Sequence, residues 1–155
     1  MTQVQPPVSV RRLRASDQRR WQELWQGYLH FYRHGLDDAV TARTFTRLCD
    51  AQEGMLGLVA TDPDDDPVGL AHLVFHAATW SVAPFCYLED LFVARDRRGG
   101  GVARALFAAV YATAAQHGCD RVYWHTQQFN APARSLYDTV GQLTSMIVYE
   151  HDIKR

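Results

Sequence analysis

The chain has 155 residues, 47% hydrophobic and 21% charged, which suits one domain with a buried core. Its 16 basic and 17 acidic residues leave a formal net charge of -1, so no basic field draws it to nucleic acid or to an anionic membrane. Cys49, Cys86 and Cys119 are odd in number and irregular in spacing, which argues against a disulfide framework or a zinc pattern and for a reducing, cytoplasmic setting. Met1 to Val10 lacks a charged-then-apolar leader pattern, and no apolar run is long enough to span a bilayer.

Val8 to Arg11 reads as a short strand. Ser16 and Asp17 then supply a helix cap and a first-turn acid. Trp21, Leu24, Trp25, Tyr28, Leu29 and Tyr32 recur at helical steps and share one face, and His34-Gly35 ends that helix. Thr41 to Cys49 reads as a shorter helix with Ala42, Phe45 and Leu48 inward. Met55 to Ala60 is a strand. The run Thr61 to Pro67 halts it, because proline removes a donor and the acids favour turns. Val68 to Phe75 resumes as a strand, giving an antiparallel hairpin whose tip, Asp64-Asp65-Asp66, reads as a solvated turn.

After a break at Ser81 to Pro84, Phe85 to Val93 is an apolar strand interrupted by Glu89-Asp90. A turn, Gly99-Gly100-Gly101, leads into a helix with Val102, Ala103, Leu106, Phe107, Val110, Tyr111 and Ala114 on one face, ended by Gly118. Arg121 to Thr126 reads as a strand, Asn130 to Val140 as a helix and Thr144 to Asp152 as a last strand. This order predicts a single domain over residues 1–155, with a mixed α/β sheet and helices on both faces.

The glycine turn is the chemical centre. It joins a buried strand to a helix start, where unpaired N–H groups favour a phosphate or pyrophosphate. A Rossmann loop would need a third glycine where Arg104 stands, and a P-loop would need Lys and Ser or Thr where Val102-Ala103 stand. What remains is Arg98-Gly99-Gly100-Gly101-Val102-Ala103, an R-x-x-G-x-A pattern. A tight turn without a ligand is the plainer reading. Three glycines beside Arg97, Arg98 and Arg104 favour an anion site.

That pattern resembles the coenzyme A pyrophosphate loop of the GNAT acetyltransferase superfamily. Tyr87-Leu88-Glu89-Asp90-Leu91-Phe92-Val93 is similar to the strand before that loop in polyamine-type members, and Asn130 to Tyr137 is similar to the N-x-x-A-x-x-L-Y helix after it. Arg121 to Trp124 and Tyr28 to Tyr32 resemble a branch holding fungal acetyltransferases of histones, polyamines or D-amino acids and their bacterial relatives. Gly141-Gln142 departs from the pattern, since relatives usually carry an aromatic after the glycine.

The resemblance implies a mostly antiparallel sheet with a splayed strand pair at the cofactor site. It implies transfer of an acetyl group from acetyl-CoA to an amine by direct attack. Backbone groups of Leu91, Phe92 and Val93 would hold the pantetheine arm. Arg98, Gly99, Gly100, Gly101, Val102, Ala103 and Arg104 would hold the pyrophosphate. Asn130 would contact the cofactor and Ala133 would leave room for it. Tyr137 would protonate the departing thiolate, and Glu89 would take the amine proton directly or through water, with Asp90 as second candidate. A homodimer is also implied.

Each role has a plainer counterpart. Tyr137 lies two helical turns after Asn130, a face that could be core. Glu89 and Asp90 interrupt a strand that should be buried, where an acid needs a partner or a purpose; an arginine bridge suits Asp90 as well as a substrate does. Asp37 and Asp38 read as a loop bordering the acceptor site, either drawing in a cationic amine or simply solvated. His72, His76 and His125 share no ligand spacing and read as structural, so no metal is expected. Two other classes remain: a silent acetyl-CoA-binding module, and a nucleotide-binding enzyme of another kind.

Overall fold

The computed structural model describes residues 4–155. Met1 to Gln3 lie outside it, and with them the start of the segment read as lacking a leader. The chain divides into two compact units, one ending at His125 and the other running Thr126–Arg155.

The first unit is built on strands β1 (Ser9–Arg12), β2 (Met55–Thr61), β3 (Pro67–His76), β4 (Phe85–Val93) and β5 (Arg121–Tyr123). They lie in sequence order in one sheet. The first three pairings are antiparallel and β4–β5 is parallel. Helices α1 (Gln18–Phe31), α2 (Asp38–Cys49) and α3 (Val102–Gln116) complete the unit.

The helices cover both faces of the sheet. On one face Trp21, Leu24, Trp25 and Leu29 of α1 and Phe45 and Leu48 of α2 form a core with Val59 and Leu70. On the other, a Cβ added at Gly69 would meet Leu106 and Val102 of α3 at 3.2 and 3.3 Å. Gly69 is therefore the space that lets α3 lie close to β3. The helical periodicities hold with two shifts: α1 ends at Phe31 and leaves Tyr32 exposed as its C-cap, and α2 turns Thr41, Phe45 and Leu48 inward while Ala42 is exposed. These positions are four and three residues apart, the spacing of one helical stripe.

The acidic hairpin tip is more than a solvated turn. Asp62 Oδ1 accepts from the N–H groups of Asp64 and Asp66, and Asp65 pairs with Arg11 and Arg14. Arg11 also forks onto Asp17, donating to its two oxygens at 2.8 and 2.9 Å, while the Arg14 N–H donates to Asp17 at 2.8 Å. Burial opposes the Asp17 charge, yet Arg11 and the Arg14 N–H outweigh it and hold the carboxyl below its ordinary value. Its contribution to stability is thus complete above the unfolded value, about 3.9, and is lost as pH falls through the lower folded one. Asp17→Asn is expected to cost about 2 kcal/mol at neutral pH, because it leaves Arg11 with Asp65 as its carboxylate partner, and to flatten the acid side of the stability profile. Urea titrations of parent and variant between neutral and acid pH measure both effects.

The second unit contains α4 (Ala131–Val140), entered through Asn130 with Pro132 in its first turn. The expected last strand, Thr144 to Asp152, is absent: that segment has no regular secondary structure and is exposed, including Met146, Ile147, Val148 and Tyr149. Its composition favours a strand, but a strand exists only when its backbone is paired. The strand expected over Arg121 to Thr126 likewise stops at Tyr123. No helix among the described residues is long and apolar enough to cross a membrane.

Candidate active site

The acidic pair of β4 sits at a fault in the sheet. His72 of β3 lies opposite Asp90, and the next residue, Leu73, lies opposite Leu88. Glu89 is the extra residue of a β-bulge. Strict alternation would place Cys86, Leu88 and Asp90 on one face. With the bulge, Cys86, Leu88, Leu91 and Val93 share the α3 side, while Tyr87, Asp90 and Phe92 look toward α1. An apolar strand can therefore carry two adjacent acids without burying either against α3.

Asp90 lies among aromatic residues. Its Oδ2 is 2.9 Å from His72 Nδ1, and His72 Nε2 is 3.0 Å from the Trp21 indole nitrogen. Trp25 stacks on Tyr28 at 5.2 Å, Tyr28 meets Tyr32 at 4.8 Å, and Phe92 meets Tyr28 edge-on at 6.3 Å. Burial pushes the Tyr28 phenol well above its usual value, and the charge of Asp90 and a hydrogen-bonding contact to it add to this. Tyr32 is raised by burial and then by Asp90. Glu89 is exposed at this mouth, yet partial desolvation raises its carboxyl above the ordinary range. The charge of Asp90 adds to the rise.

Beyond the bulge the sheet opens. β5 pairs with β4 only from Phe85 to Tyr87, so among the described residues Leu88 to Val93 have no partner strand on that side. The Phe92 carbonyl is turned to Gly69, and the Ala94 N–H bonds the Val68 carbonyl. By alternation the backbone groups of Leu91 and Val93 face the opening, which suits an extended ligand lying as an added strand. The Val93 carbonyl accepts from Arg98 Nε at 3.1 Å, and the Arg98 guanidinium lies 5.3 Å from the Phe92 ring centre. Arg98 thereby braces the loop onto the end of β4.

The loop itself fits an anion. Gly99 and Gly101 have φ of +80° and +84°, a conformation that other residues reach only with strain. A Cβ at either would meet nothing within 4 Å, so the ground in front of the loop is open. The first bond of α3 runs from the Ala105 N–H to the Gly101 carbonyl. The N–H groups of Val102 and Ala103 therefore begin the helix without intrahelical acceptors. Gly100 is different: the Gln5 side chain lies against it and donates to the Arg98 carbonyl at 3.2 Å.

In the second unit Asn130, Ala133 and Tyr137 stand on one side of α4, and Ala133, Tyr137 and Val140 are half-buried. Asn130 donates through Nδ2 to Thr126 Oγ1 at 3.5 Å, and its carbonyl accepts the Arg134 N–H. Asp37 is the exposed N-cap of α2 and its carbonyl accepts from Val40 and Thr41; Asp38 opens the helix instead of lying in the loop. His76 meets the Tyr123 hydroxyl at 2.7 Å and His125 the Tyr87 hydroxyl at 3.2 Å. Among the described residues, no three His, Cys, Asp or Glu side chains gather as metal ligands. The sequence reading missed the bond from His72 to Asp90; a histidine inside the apolar run Leu70 to Phe75 was the available signal.

The chain belongs to the acetyltransferase (GNAT) family, whose family model matches residues 13–141. It is 32% identical over 146 residues to the D-amino-acid N-acetyltransferase HPA3 of Saccharomyces cerevisiae, covering 94% of this chain and 91% of that protein. It is 32% identical over 76 residues to a thialysine N-epsilon-acetyltransferase of Caenorhabditis elegans, covering 49% of this chain and 47% of that one. The fold is that of the aminoglycoside N-acetyltransferase AAC(6')-Iy, solved in complex with CoA, with a TM-score of 0.81 at 18% identity. That match covers 98% of this chain and 99% of the other.

Proposed function

We propose that this single-domain enzyme transfers the acetyl group of acetyl-CoA to a primary amine by direct attack within a ternary complex. The observation that carries this reading is the open edge of β4 running into the glycine loop at the start of α3. Leu91 and Val93 would hold the pantetheine arm, and the N–H groups from Gly99 to Arg104 would hold the pyrophosphate. Asn130 and Ala133 would flank the cofactor from α4. Bound there, acetyl-CoA supplies an activated thioester. Glu89 takes a proton from the arriving ammonium group, and the Tyr137 hydroxyl donates one to the departing thiolate. Holding both reactants together supplies the rest of the rate through proximity.

A relay through an acetylated cysteine is disfavoured. Burial pushes the Cys86 thiol up to about 12 and the Cys49 thiol up to about 11, and Cys119 is raised as well. Only the thiolate is a competent nucleophile, and at neutral pH almost none forms at such values. The three free thiols also suit a reducing, cytoplasmic setting. Asp90 and the exposed acids Asp37 and Asp38 favour a cationic acceptor, in keeping with the amino-acid and thialysine acceptors named for the two relatives. The exposed apolar residues Met146 to Tyr149 support pairing with a second copy, hence a homodimer.

Coenzyme A is expected to raise the melting temperature of the parent. Linkage gives about 2.7 kcal/mol at a hundredfold excess over Kd. Gly101→Val is expected to abolish that gain, because its side chain would fill the open ground before the loop. The variant will also melt earlier without ligand, since φ at this position is left-handed. The informative quantity is therefore the shift caused by coenzyme A in each protein. A parent whose melting temperature ignores saturating coenzyme A would refute the cofactor site, and an acetyl-transfer screen over amino acids, polyamines and aminoglycosides then identifies the acceptor.

A further inference from the structure

His72 is 2% exposed, and both of its ring nitrogens are engaged. It lies against Trp21 and Trp25 of α1, with ring centres 5.9 and 5.2 Å away. An indole N–H can only donate. The Trp21 N–H, 3.0 Å from His72 Nε2, therefore makes Nε2 the acceptor. The single proton of the neutral ring must then sit on Nδ1, from which it is donated to Asp90 Oδ2 at 2.9 Å. Trp21 fixes the tautomer, and the tautomer fixes the carboxylate.

Such a chain has a use at this position. Asp90 is next to the bulge residue Glu89 and faces the aromatic side of α1. With one oxygen held by this buried donor, the carboxylate keeps a fixed orientation. We propose that His72, locked by Trp21, is a positioning residue that holds Asp90 in one orientation, so that its second oxygen meets the ammonium group of the acceptor beside Glu89. This rests on the acetyltransferase reading and deepens it: the acceptor binds as a cation, between a fixed carboxylate and the rings of Tyr28 and Tyr32. Cation–π attraction from those rings adds to the charge pairing.

The chain of bonds predicts a spectroscopic signature and a kinetic one. In long-range ¹H–¹⁵N spectra of the whole protein, His72 should show a protonated Nδ1 and an unprotonated Nε2. His72→Leu fills the site with an apolar side chain and removes both the donor to Asp90 and the acceptor for the Trp21 N–H. It is expected to raise the acceptor KM about 10- to 100-fold, the equivalent of one hydrogen bond to a charged group. The KM of acetyl-CoA and the thermal shift caused by coenzyme A should stay as in the parent. His72→Asn, whose amide N–H can take the place of Nδ1–H, should recover most of the loss. If His72→Leu does not fold, Trp21→Phe removes the indole N–H together with part of a buried ring, and it should raise the acceptor KM in the same direction while the thermal shift caused by coenzyme A stays as in the parent.

An Nε2-protonated His72 would overturn the proposal. So would a set of variants that melt earlier but keep the acceptor KM of the parent. Those results leave the cofactor site standing, because the response to coenzyme A reads it separately. A parent that neither responds to coenzyme A nor acetylates any amine would instead refute the acetyltransferase reading, and the role of His72 would fall with it.

Discussion

Tyr137→Phe is expected to lower kcat by about 10²–10⁴-fold while leaving the affinity for acetyl-CoA nearly unchanged. The substitution removes one hydroxyl and keeps the ring, so the half-buried face of α4 retains its packing. What is lost is the proton for the departing thiolate. A thiolate is a fair leaving group, so the loss should be smallest for the most nucleophilic acceptors. Steady-state kinetics with a fixed acceptor, together with calorimetric titration of coenzyme A, separate the two quantities. Equal kcat in variant and parent would reassign Tyr137 to packing.

Glu89→Gln is expected to remove about 10²–10³-fold from kcat/KM near neutral pH. Desolvation first, and the Asp90 charge second, raise the Glu89 carboxyl. Its basic form is therefore lost as pH falls through a value above the ordinary glutamate range, and the acid limb of the parent profile should lie correspondingly high. Between that limb and the acceptor's own pKa, the parent has a base while the amine is still mostly protonated, and the variant should lose most there. Above the acceptor's pKa free amine is abundant, and much of the rate should return. A purely structural Glu89 would give profiles offset by a constant factor, with a lower melting temperature. Measuring kcat/KM against pH for both proteins decides between these outcomes.

The sequence was most legible where one element determines its own pattern. The inward stripe of α1, the glycine turn and the apolar face of α3 follow from helical spacing and from the need for glycine at left-handed positions. The glycine loop could be read as a candidate anion site because that reading rests on backbone conformation, which glycines signal. The bulge could not be read, because Leu88-Glu89-Asp90-Leu91 scans as an interrupted strand whichever residue is the extra one. Only pairing with β3 selects Glu89. The bond from His72 to Asp90 was hidden for the same reason, since the two residues lie 18 positions apart and meet through the sheet. The reading of Thr144 to Asp152 failed because residue preference cannot supply a neighbouring strand. Asp65 is exposed, as a solvated turn requires, but its pairing with Arg11 and Arg14 was hidden because they sit more than 50 positions away.

The fault in β4 separates chemistry from architecture. Leaving Glu89 out of the count makes the rest of the strand regular: Leu88 would still oppose Leu73, Asp90 would still oppose His72, and every side chain would keep its present face. The proposed proton acceptor is thus an interpolation, one residue added to a ladder that is complete without it. A lineage could gain or lose such a group by a single codon insertion or deletion, with little disturbance to the hydrophobic layers on either side. Binding of the cofactor and its turnover would then be inherited as separable traits, the first vested in the sheet edge and glycine loop, the second in one supernumerary position.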